Sequence, residues 1–512
     1  MVKAPLGRTA CQCATRFHRG RCTALVFVLA ITATAMIRAA AAAEVLDLGL
    51  RREIFVDHFL IAEMENVRLV PGTPADEGEV MRFDQPWEGN VSIWVSVLKD
   101  GDSYRMYYRG AHAEPDGRDK LGSTAVTCYA ESRDGVIWTK PRLGLHPFKG
   151  DHANNIVLAP GEKQATANFA VFLDERAEIP ATERYKAIGG KRDQGLFRYT
   201  SADGIHWRLF SGEALFRGYA LDTMNVPVWS PAEQLYAIYL RTWSEGGTPA
   251  RPEFKGLRTV SRSTSPDFVN WSEPAPMEFG DVPQEDLYTN STTPYYRAPH
   301  VLVALAARFQ RDRQVLSLAE LEELQVLPGQ RRGISDAVLM TSRGGIRYDR
   351  TFMQSFVRPG LDRGAWSARN NYPGLGIVQT GPAEMSFYVS RNYGQPRNHL
   401  RRYSLRLDGF GSLQGDYQGG SVLTKAIRVS GNRLCLNYST SASGSILVEL
   451  LDASGAVIAG YAAEDCDVMV GDEIDRRVTW RGRSDLGAFT GKPIRVRFHL
   501  QDANIFALQF VR

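Results

Sequence analysis

A short turn motif, Ser-x-Asp-Gly-x-x-Trp, recurs along the chain and constrains its fold more than any other feature. Complete copies begin at Ser132 and Ser201, a copy at Ser265 has Phe in place of Gly, and a divergent copy begins at Ser342. Asp-Gly favours a tight hairpin turn, and the aromatic residue after it is expected to pack on the next sheet. Because each copy follows a strand-like run, the motif indicates a β-hairpin unit repeated along the chain.

Two further repeats lie upstream of these turns. The first is an asparagine that opens an apolar strand, and its members are Asn90, Asn168, Asn225, Asn290 and Asn371. The second is a later strand that ends in arginine, and its members are Arg109, Arg241, Arg308 and Arg391, with Lys191 in the second unit. The five asparagines therefore mark five units of about four strands each.

Such units predict an all-β fold: a five-bladed β-propeller followed by a C-terminal β-sandwich. A single meander leaves one face exposed, whereas a radial arrangement of sheets buries it. The fifth unit is short of strands before Gly409, so we expect Glu53–Ile61 to supply its closing strand. The capping box at Ser317 predicts one short helix within the fourth unit. Alternating strands after Gly409 place the propeller at residues 44–410 and the sandwich at 411–512.

The N-terminal segment has the pattern of a secretory signal peptide over residues 1–43. Arginines precede an apolar run from Cys22 to Ile37, and an alanine tract ends at Ala43. We expect export to the medium or the periplasm and no membrane contact after cleavage. The alternative is a retained membrane anchor, although the apolar run is shorter than the ~20 residues of a spanning helix. Of six cysteines, three lie in this segment, and Cys435 and Cys466 could form a disulfide or remain buried thiols.

Charge and motifs exclude several function classes. A formal net charge of +4 gives no electrostatic footprint for nucleic acid. The chain has no P-loop, no dinucleotide-binding fingerprint and no Gly-x-Ser-x-Gly elbow, and its histidines and cysteines show no metal-ligand spacing. We therefore expect neither a cofactor nor a metal, and the sequence leaves the oligomeric state open.

In a propeller, the start of the first strand and the end of the second strand of a blade meet at the same rim. The asparagines and arginines are therefore expected to surround one mouth of the central channel and bind a carbohydrate, an anionic one being an option, since arginine pairs with carboxylate or sulfate. Glycoside hydrolysis needs two carboxyl groups. Glu88, Asp222 and Asp286 precede three of the asparagines on different blades and are the predicted catalytic residues. The alternative is structural: asparagine initiates turns, and strand-end arginines form salt bridges between blades.

The repeats, together with Gln85-Pro-Trp87-Glu88-Gly and the segment from Arg402 to Phe410, resemble the five-bladed propellers of glycoside hydrolase families 32, 43 and 130. The resemblance is strongest to secreted bacterial proteins of the family-32-like group and spans nearly the whole chain after the signal segment. It implies an acidic residue on each of several early blades, which falls on Glu88, Asp222 and Asp286. The chain has no Asn-Asp-Pro-Asn-Gly, Arg-Asp-Pro or Glu-Cys, so fructan hydrolysis is not predicted.

Three functions remain open at this point. The first is a secreted glycoside hydrolase that acts on a poly- or oligosaccharide, with inverting or retaining chemistry undecided. The second is a non-catalytic carbohydrate-binding propeller. The third is a glycoside phosphorylase, which would depend on phosphate.

Overall fold

The computed structural model describes residues 45–115, 125–159, 168–192 and 194–512, and the predicted signal segment at 1–43 lies outside them. Within the described residues, no helix is long and apolar enough to cross a membrane. Five strands precede the first blade: β1 (Leu46–Gly49), β2 (Arg52–Ile54), β3 (Ile61–Glu65), β4 (Val67–Pro71) and β5 (Ala75–Arg82).

Five antiparallel sheets follow and form the blades of a propeller. Blade one is β6 (Ile93–Asp100), β7 (Ser103–Gly110), β8 (Val126–Ser132) and β9 (Ile156–Leu158). Blade two is β10 (Ala170–Leu173), β11 (Tyr185–Lys191), β12 (Gly195–Ser201) and β13 (Arg208–Leu209). Blade three is β14 (Val226–Ser230), β15 (Leu235–Trp243), β16 (Arg258–Ser265) and β17 (Ala275–Pro276).

Blade four contains the predicted helix, and blade five is closed from the N-terminal side. Blade four is β18 (Thr292–Tyr295), β19 (Ala298–Gln310), α1 (Leu318–Glu323), β20 (Ile334–Ser342) and β21 (Ser355–Val357). Blade five is β22 (Tyr372–Pro373), β23 (Val378–Gln379), β24 (Glu384–Arg391) and β25 (His399–Arg406), with β5 paired to β25. The prediction of α1 is confirmed, with Ser317 and Glu320 forming its capping box. Single 3₁₀ turns lie at Ala181–Glu183, Pro328–Gln330, Arg363–Trp366, Ala463–Asp465 and Gly487–Phe489.

The closing strand of blade five is β5, so the prediction that Glu53–Ile61 supplies it is wrong. The physical reason is burial. β5 is the outermost strand of its blade and is largely exposed, so it needs no continuous apolar run. The buried segment Arg52–Ile54 instead pairs with the last strand of the chain.

The inner strands β6, β10, β14 and β18 neighbour one another in turn, and blade five closes the ring, since β22 contacts β19 and β20 of blade four and β23 contacts β6. Blade five meets blade one through Leu375, whose N–H donates to Val95 O at 2.7 Å and whose carbonyl accepts from Val97 N at 2.8 Å. Gly376 permits this approach, because a Cβ there would lie 1.9 Å from Val97 O and its φ is +106°. The glycines that weaken the strand signal in the fifth repeat are therefore what allows the ring to close.

The Ser-x-Asp turns of blades one, two and three each form a hydrogen bond with the preceding blade, which for blade one is blade five. In the first copy Ser132 Oγ accepts from Gly135 N, and Asp134 Oδ1 accepts from Ile137 N. Tyr388 OH of blade five donates to Gly135 O at 2.5 Å. The corresponding bonds to the later copies are Tyr107 OH to Gly204 O and Arg198 to Phe268 O. The turn aspartates thus bond their own turns, and Trp138 and Trp207 pack edge-on against Tyr388 and Tyr107.

The remaining strands are β26 (Gly411–Gly415), β27 (Gly420–Thr424), β28 (Ile427–Val429), β29 (Arg433–Asp452), β30 (Asp472–Arg477) and β31 (Pro493–Val511). Together with β1–β4 they form one ten-stranded hydrogen-bonded network around its own apolar core. Residues 46–71, which lie within the range predicted for the propeller, therefore pair with C-terminal strands.

Cys128, Cys435 and Cys466 are buried free thiols, so the disulfide alternative is wrong. Cys466 Sγ instead accepts a hydrogen bond from Val448 N.

A buried ionic cluster joins this network to the propeller, and we call it the junction cluster. At its centre Asp408 accepts hydrogen bonds from Arg297, Tyr295 OH and Asn437 at 2.8–3.0 Å and pairs with Arg52 at 3.2 Å. Glu53, 1% exposed, pairs with Arg343 at 2.9 Å and with His300 at 3.0 Å. Each of these buried carboxylates is therefore met by cations or hydrogen-bond donors.

Candidate functional site

Antiparallel pairing brings the start of each inner strand beside the end of the second strand of its blade. In blade one, Ile93 of β6 pairs with Arg109 of β7, and in blade three Val226 of β14 pairs with Tyr239 of β15. We call this end of the propeller the upper rim and the end that carries the Ser-x-Asp turns the lower rim. The asparagines and the strand-end arginines both lie on the upper-rim side of their blades.

The five asparagines are all buried, and their amide groups bond the backbone at the strand ends. The acceptors of their Nδ2 groups are Ala113 for Asn90, Gly190 and Leu221 for Asn168, Leu221 and Thr223 for Asn225, Tyr239 for Asn290, and Ser335 and Ala365 for Asn371. These bonds give the asparagines a structural role in shaping the rim. That they also bind substrate stays a prediction.

Two of the predicted arginines approach the centre of the upper rim. Arg109 donates to Val91 O at 2.8 Å, and its guanidinium lies 5.8 Å from the ring centre of Trp94. Arg241, 3% exposed, forms an ion pair with Asp222 and lies 4.9 Å from the ring centre of Tyr288. Both side chains therefore sit against aromatic rings.

The other two predicted arginines are held elsewhere. Arg308 pairs with Glu285 at 2.7 Å and with Asp336 at 2.6 Å. Arg391 bonds Asn371, Tyr403 and the carbonyl of Pro359, and it lines a separate cavity of about 690 Å³ beside blade five. Neither contacts the aromatic residues around Arg109 and Arg241.

The predicted catalytic carboxylates differ in exposure. Glu88 is fully buried and is held by Tyr108 OH at 2.5 Å and by Lys140 at 2.7 Å. Asp286 is also buried and pairs with Arg258 at 3.0 Å and Arg311 at 2.6 Å. The side chain of Asp222 is 49% exposed beside the buried Arg241. Of the three, Asp222 alone is available to a ligand from solvent.

An aromatic and cationic group that we call the rim cluster fills the centre between these residues. Its rings are linked in sequence, with centroids 6.2 Å apart for Trp94 and Tyr372 and 5.2 Å apart for Tyr372 and Tyr288. Its guanidinium groups lie against these rings and belong to Arg109, Arg241, Arg258 and Arg369. Arg258 and Arg369 lie 4.6 and 5.7 Å from the ring centre of Tyr288.

Two members of the rim cluster have unusual backbone conformations. Trp94 has φ +61° at an irregularity in the pairing of β6 with β7, and Arg369 has φ +59°. Positive φ is costly for such side chains and persists where surrounding contacts impose it. Asn370 supplies contacts of this kind, since its Oδ1 accepts from Tyr393 N and its Nδ2 donates to Ser367 Oγ. The fold thus holds Trp94 and Arg369 in positions that their own preferences oppose.

The electrostatics of the cluster favour negative charge at Tyr288. Burial raises the pKa of this phenol, but the guanidinium groups of Arg369, Arg241 and Arg258 outweigh burial and leave the pKa below its ordinary value. Burial raises the pKa of the neighbouring Tyr372 well above the ordinary value. The positive potential is therefore centred on Tyr288.

Sequence reasoning missed most of this cluster, although a signal was present. Trp94 lies four residues after Asn90, Tyr372 directly follows Asn371, and Tyr288 lies two residues before Asn290. Aromatic residues thus accompany three of the repeated asparagines. Among the described residues, no group of three or more His, Cys, Asp or Glu side chains is placed to hold a metal ion.

No protein-family model matches the chain, and no curated protein sequence matches it. Solved structures to which it is similar include a glycoside hydrolase (11% identity, 67% of this chain and 92% of that chain, TM-score 0.40). Another is a family 43 arabinoxylan arabinofuranohydrolase from Bacillus subtilis in complex with cellotetraose (10% identity, 86% of this chain and 100% of that chain, TM-score 0.38). A third is an N-acetylgalactosamine deacetylase from F. plautii in complex with blood group B trisaccharide (13% identity, 67% of this chain and 97% of that chain, TM-score 0.40). The activities named belong to those proteins.

Proposed function

We propose that this five-bladed propeller is a secreted glycoside hydrolase-like protein that acts on a poly- or oligosaccharide at its upper rim. The observation that carries the proposal is the half-exposed Asp222 on the buried Arg241, next to the rings of the rim cluster. Aromatic faces pack against the apolar faces of sugar rings, and carboxylate and guanidinium groups hydrogen-bond sugar hydroxyls. These groups together suit a polyhydroxylated ligand.

Hydrolysis requires a second carboxyl group besides Asp222. Glu88 and Asp286 are engaged in buried ion pairs. Glu114 is a further candidate in blade one, because its side chain is 56% exposed and it directly follows Ala113, which Asn90 holds at the upper rim. We therefore assign Asp222 and Glu114 as the pair to test first.

A non-catalytic carbohydrate-binding propeller is the second candidate. The burial of Glu88 and Asp286 favours it, because carboxylates neutralised by arginine or lysine serve poorly as general acid or nucleophile. The same rim would then bind sugar without cleaving it.

The two candidates are separated by measuring both binding and release of reducing ends on neutral, uronate-containing and sulfated polysaccharides. Asp222→Asn and Glu114→Gln should each abolish release while the fold persists, as judged by circular dichroism. Asp102→Asn is the matched control, since Asp102 is an exposed aspartate in the β6–β7 turn at the lower rim. Binding without release by the unmodified protein supports the second candidate. Release that is unchanged in both rim variants removes these two assignments. Formation of a sugar 1-phosphate that requires added phosphate, without new reducing ends, indicates a phosphorylase.

Export and the C-terminal module complete the proposal. We propose that residues 1–43 direct export and are removed, so N-terminal sequencing of exported protein should begin near Glu44. We also propose that the ten-stranded network around its separate core is the predicted β-sandwich. An N-terminus that retains the alanine tract would contradict cleavage.

A further inference from the structure

We infer that the rim cluster binds an anionic group of the saccharide, a carboxylate or a sulfate ester, at the guanidinium of Arg369, with the charge of Arg241 buried in the same cluster. This inference rests on the proposed function and narrows its substrate class to acidic sugars. It is carried by unpartnered donors, by an excess of positive charge and by an arginine held at the surface.

Buried donors in the cluster lack partners. Arg241 uses Nε on Ala220 O and one terminal nitrogen on Asp222, while its other terminal nitrogen, NH1, is buried without a hydrogen-bond partner. Tyr372 OH and Arg109 Nε are buried without partners in the same cluster. A buried donor without a partner costs about 1–3 kcal/mol, more when it is charged. Because these atoms are closed to solvent, they leave positive charge uncompensated within the cluster and do not themselves contact a ligand.

The charges of the cluster do not balance among the described residues. Its four guanidinium groups face two carboxylates, Asp222 and Asp286, and Asp286 is shared with Arg311 outside the cluster. Arg109 and Arg369 form no ion pair with a described carboxylate. The rim cluster therefore carries an excess of positive charge in surroundings that are mostly removed from water, where unscreened charge interacts strongly.

The pKa of Tyr288 indicates that the excess charge is positive and lies close to its phenol group. Although burial alone raises the pKa of the phenol, the three nearest guanidinium groups lower it below the ordinary value. The positive potential that lowers the pKa of this phenol would also stabilise a carboxylate or sulfate oxygen next to it.

Access to the excess charge is through Arg369 and Asp222, which are both partly exposed. The backbone of Arg369 is held at φ +59° beside the contacts of Asn370, and its guanidinium lies 5.7 Å from the ring centre of Tyr288. Arginine binds carboxylate and sulfate through two parallel hydrogen bonds, which suits a preoriented side chain. Asp222 would meanwhile repel a second anion, so the ligand carries its charge on the side nearer Arg369.

The test uses pairs of polysaccharides that differ only in charge: de-esterified against methyl-esterified polygalacturonate, and sulfated against desulfated galactan. The variants are Arg369→Gln and Tyr288→Phe, with Arg133→Gln as the matched control, because Arg133 is an exposed arginine in a lower-rim turn. Binding is measured by calorimetry at constant ionic strength. Glucuronate, inorganic sulfate and inorganic phosphate are added separately as small probes, and their effect on the thermal midpoint is compared with that of chloride.

We expect the charged member of at least one pair to bind more tightly than its neutral partner. Arg369→Gln should weaken that binding about tenfold or more, whereas Arg133→Gln should leave it unchanged. Glucuronate or sulfate should raise the thermal midpoint of the unmodified protein more than that of Arg369→Gln. Tyr288→Phe should keep the preference for charge, because the arginines remain.

Equal binding of charged and neutral partners would overturn the inference and leave the proposed function in place. Stabilisation by small anions without binding of any polysaccharide would leave an anion site and remove the carbohydrate proposal. A response to phosphate alone would overturn the acidic-sugar assignment, and no response to any probe would overturn both proposals.

Discussion

The junction cluster and the rim cluster are both rich in buried arginine, yet they treat charge in opposite ways. In the junction cluster, Asp408 and Glu53 are each met by several donors. In the rim cluster, Arg109 and Arg369 lack a described carboxylate partner, and Arg241 has a buried nitrogen without an acceptor. An ionic network in which every buried group has a partner stabilises the fold. A network with unpaired cations destabilises the fold and can be stabilised by an anionic ligand.

The largest expected effect is the loss of charge at the centre of the junction cluster. Asp408→Asn should lower the free energy of unfolding by about 3–5 kcal/mol, because it leaves Arg52 and Arg297 buried with a weaker partner. Asparagine is chosen because it tolerates the φ of +65° at this position. Urea denaturation measures the change, and Asp416→Asn, at an exposed aspartate, is the control. A loss below about 1 kcal/mol would contradict the role assigned to Asp408.

A smaller effect is expected at Glu53, and it depends on pH. Burial alone raises the pKa of this carboxyl, but His300 and Arg343 outweigh burial and bring the pKa to about 2. The folded pKa is therefore below the unfolded one, so the stabilisation is present above about pH 4.5 and is lost as the pH falls toward 2. Glu53→Gln should remove about 3 kcal/mol near neutral pH and flatten this part of the stability profile. Glu63→Gln, an exposed glutamate, should leave the profile unchanged.

The smallest effect on stability is expected at the rim cluster. It tests whether the rim cluster contributes less to folding than the junction cluster does. Arg369→Gln should change the free energy of unfolding by no more than about 0.5 kcal/mol in either direction, because the partly exposed guanidinium forms no ion pair with a described carboxylate. The same urea measurement applies. A loss as large as that of Asp408→Asn would show that Arg369 serves the fold and would remove the contrast between the two clusters.

The number of blades was predictable from the sequence because each blade carries its own local signals. The Ser-x-Asp turns bond within themselves, and Asn90 and Asn168 bond backbone carbonyls at or just after the second strand of their own blade. Asn290 and Asn371 bond carbonyls of the preceding blade, so their position repeats although their partners do not. The identity of the closing strand was not predictable in this way. β5 is exposed and polar, and only its pairing with β25 distinguishes it from a loop.

The candidate site was predictable in position only in part. Arg109, Arg241 and Asp222 meet the rim cluster, but Arg308 and Arg391 occupy the same repeat position and form other contacts. Repeat position fixes where a strand ends, whereas side-chain partners depend on neighbouring blades. Arg258 and Arg369 belong to none of the repeats, so only the assembled ring brings them to Tyr288.

The chain leaves the C-terminal network after β4, forms five blades, and returns to the same network at β26. β26 pairs directly with β4, and β2 pairs with the final strand β31. Shortening the chain at residue 410 would therefore strip four N-terminal strands of their partners while leaving them covalently attached. The C-terminal network is therefore built from two segments of the chain, one on each side of the propeller. Truncation at a single position cannot separate the two modules with all their strands intact.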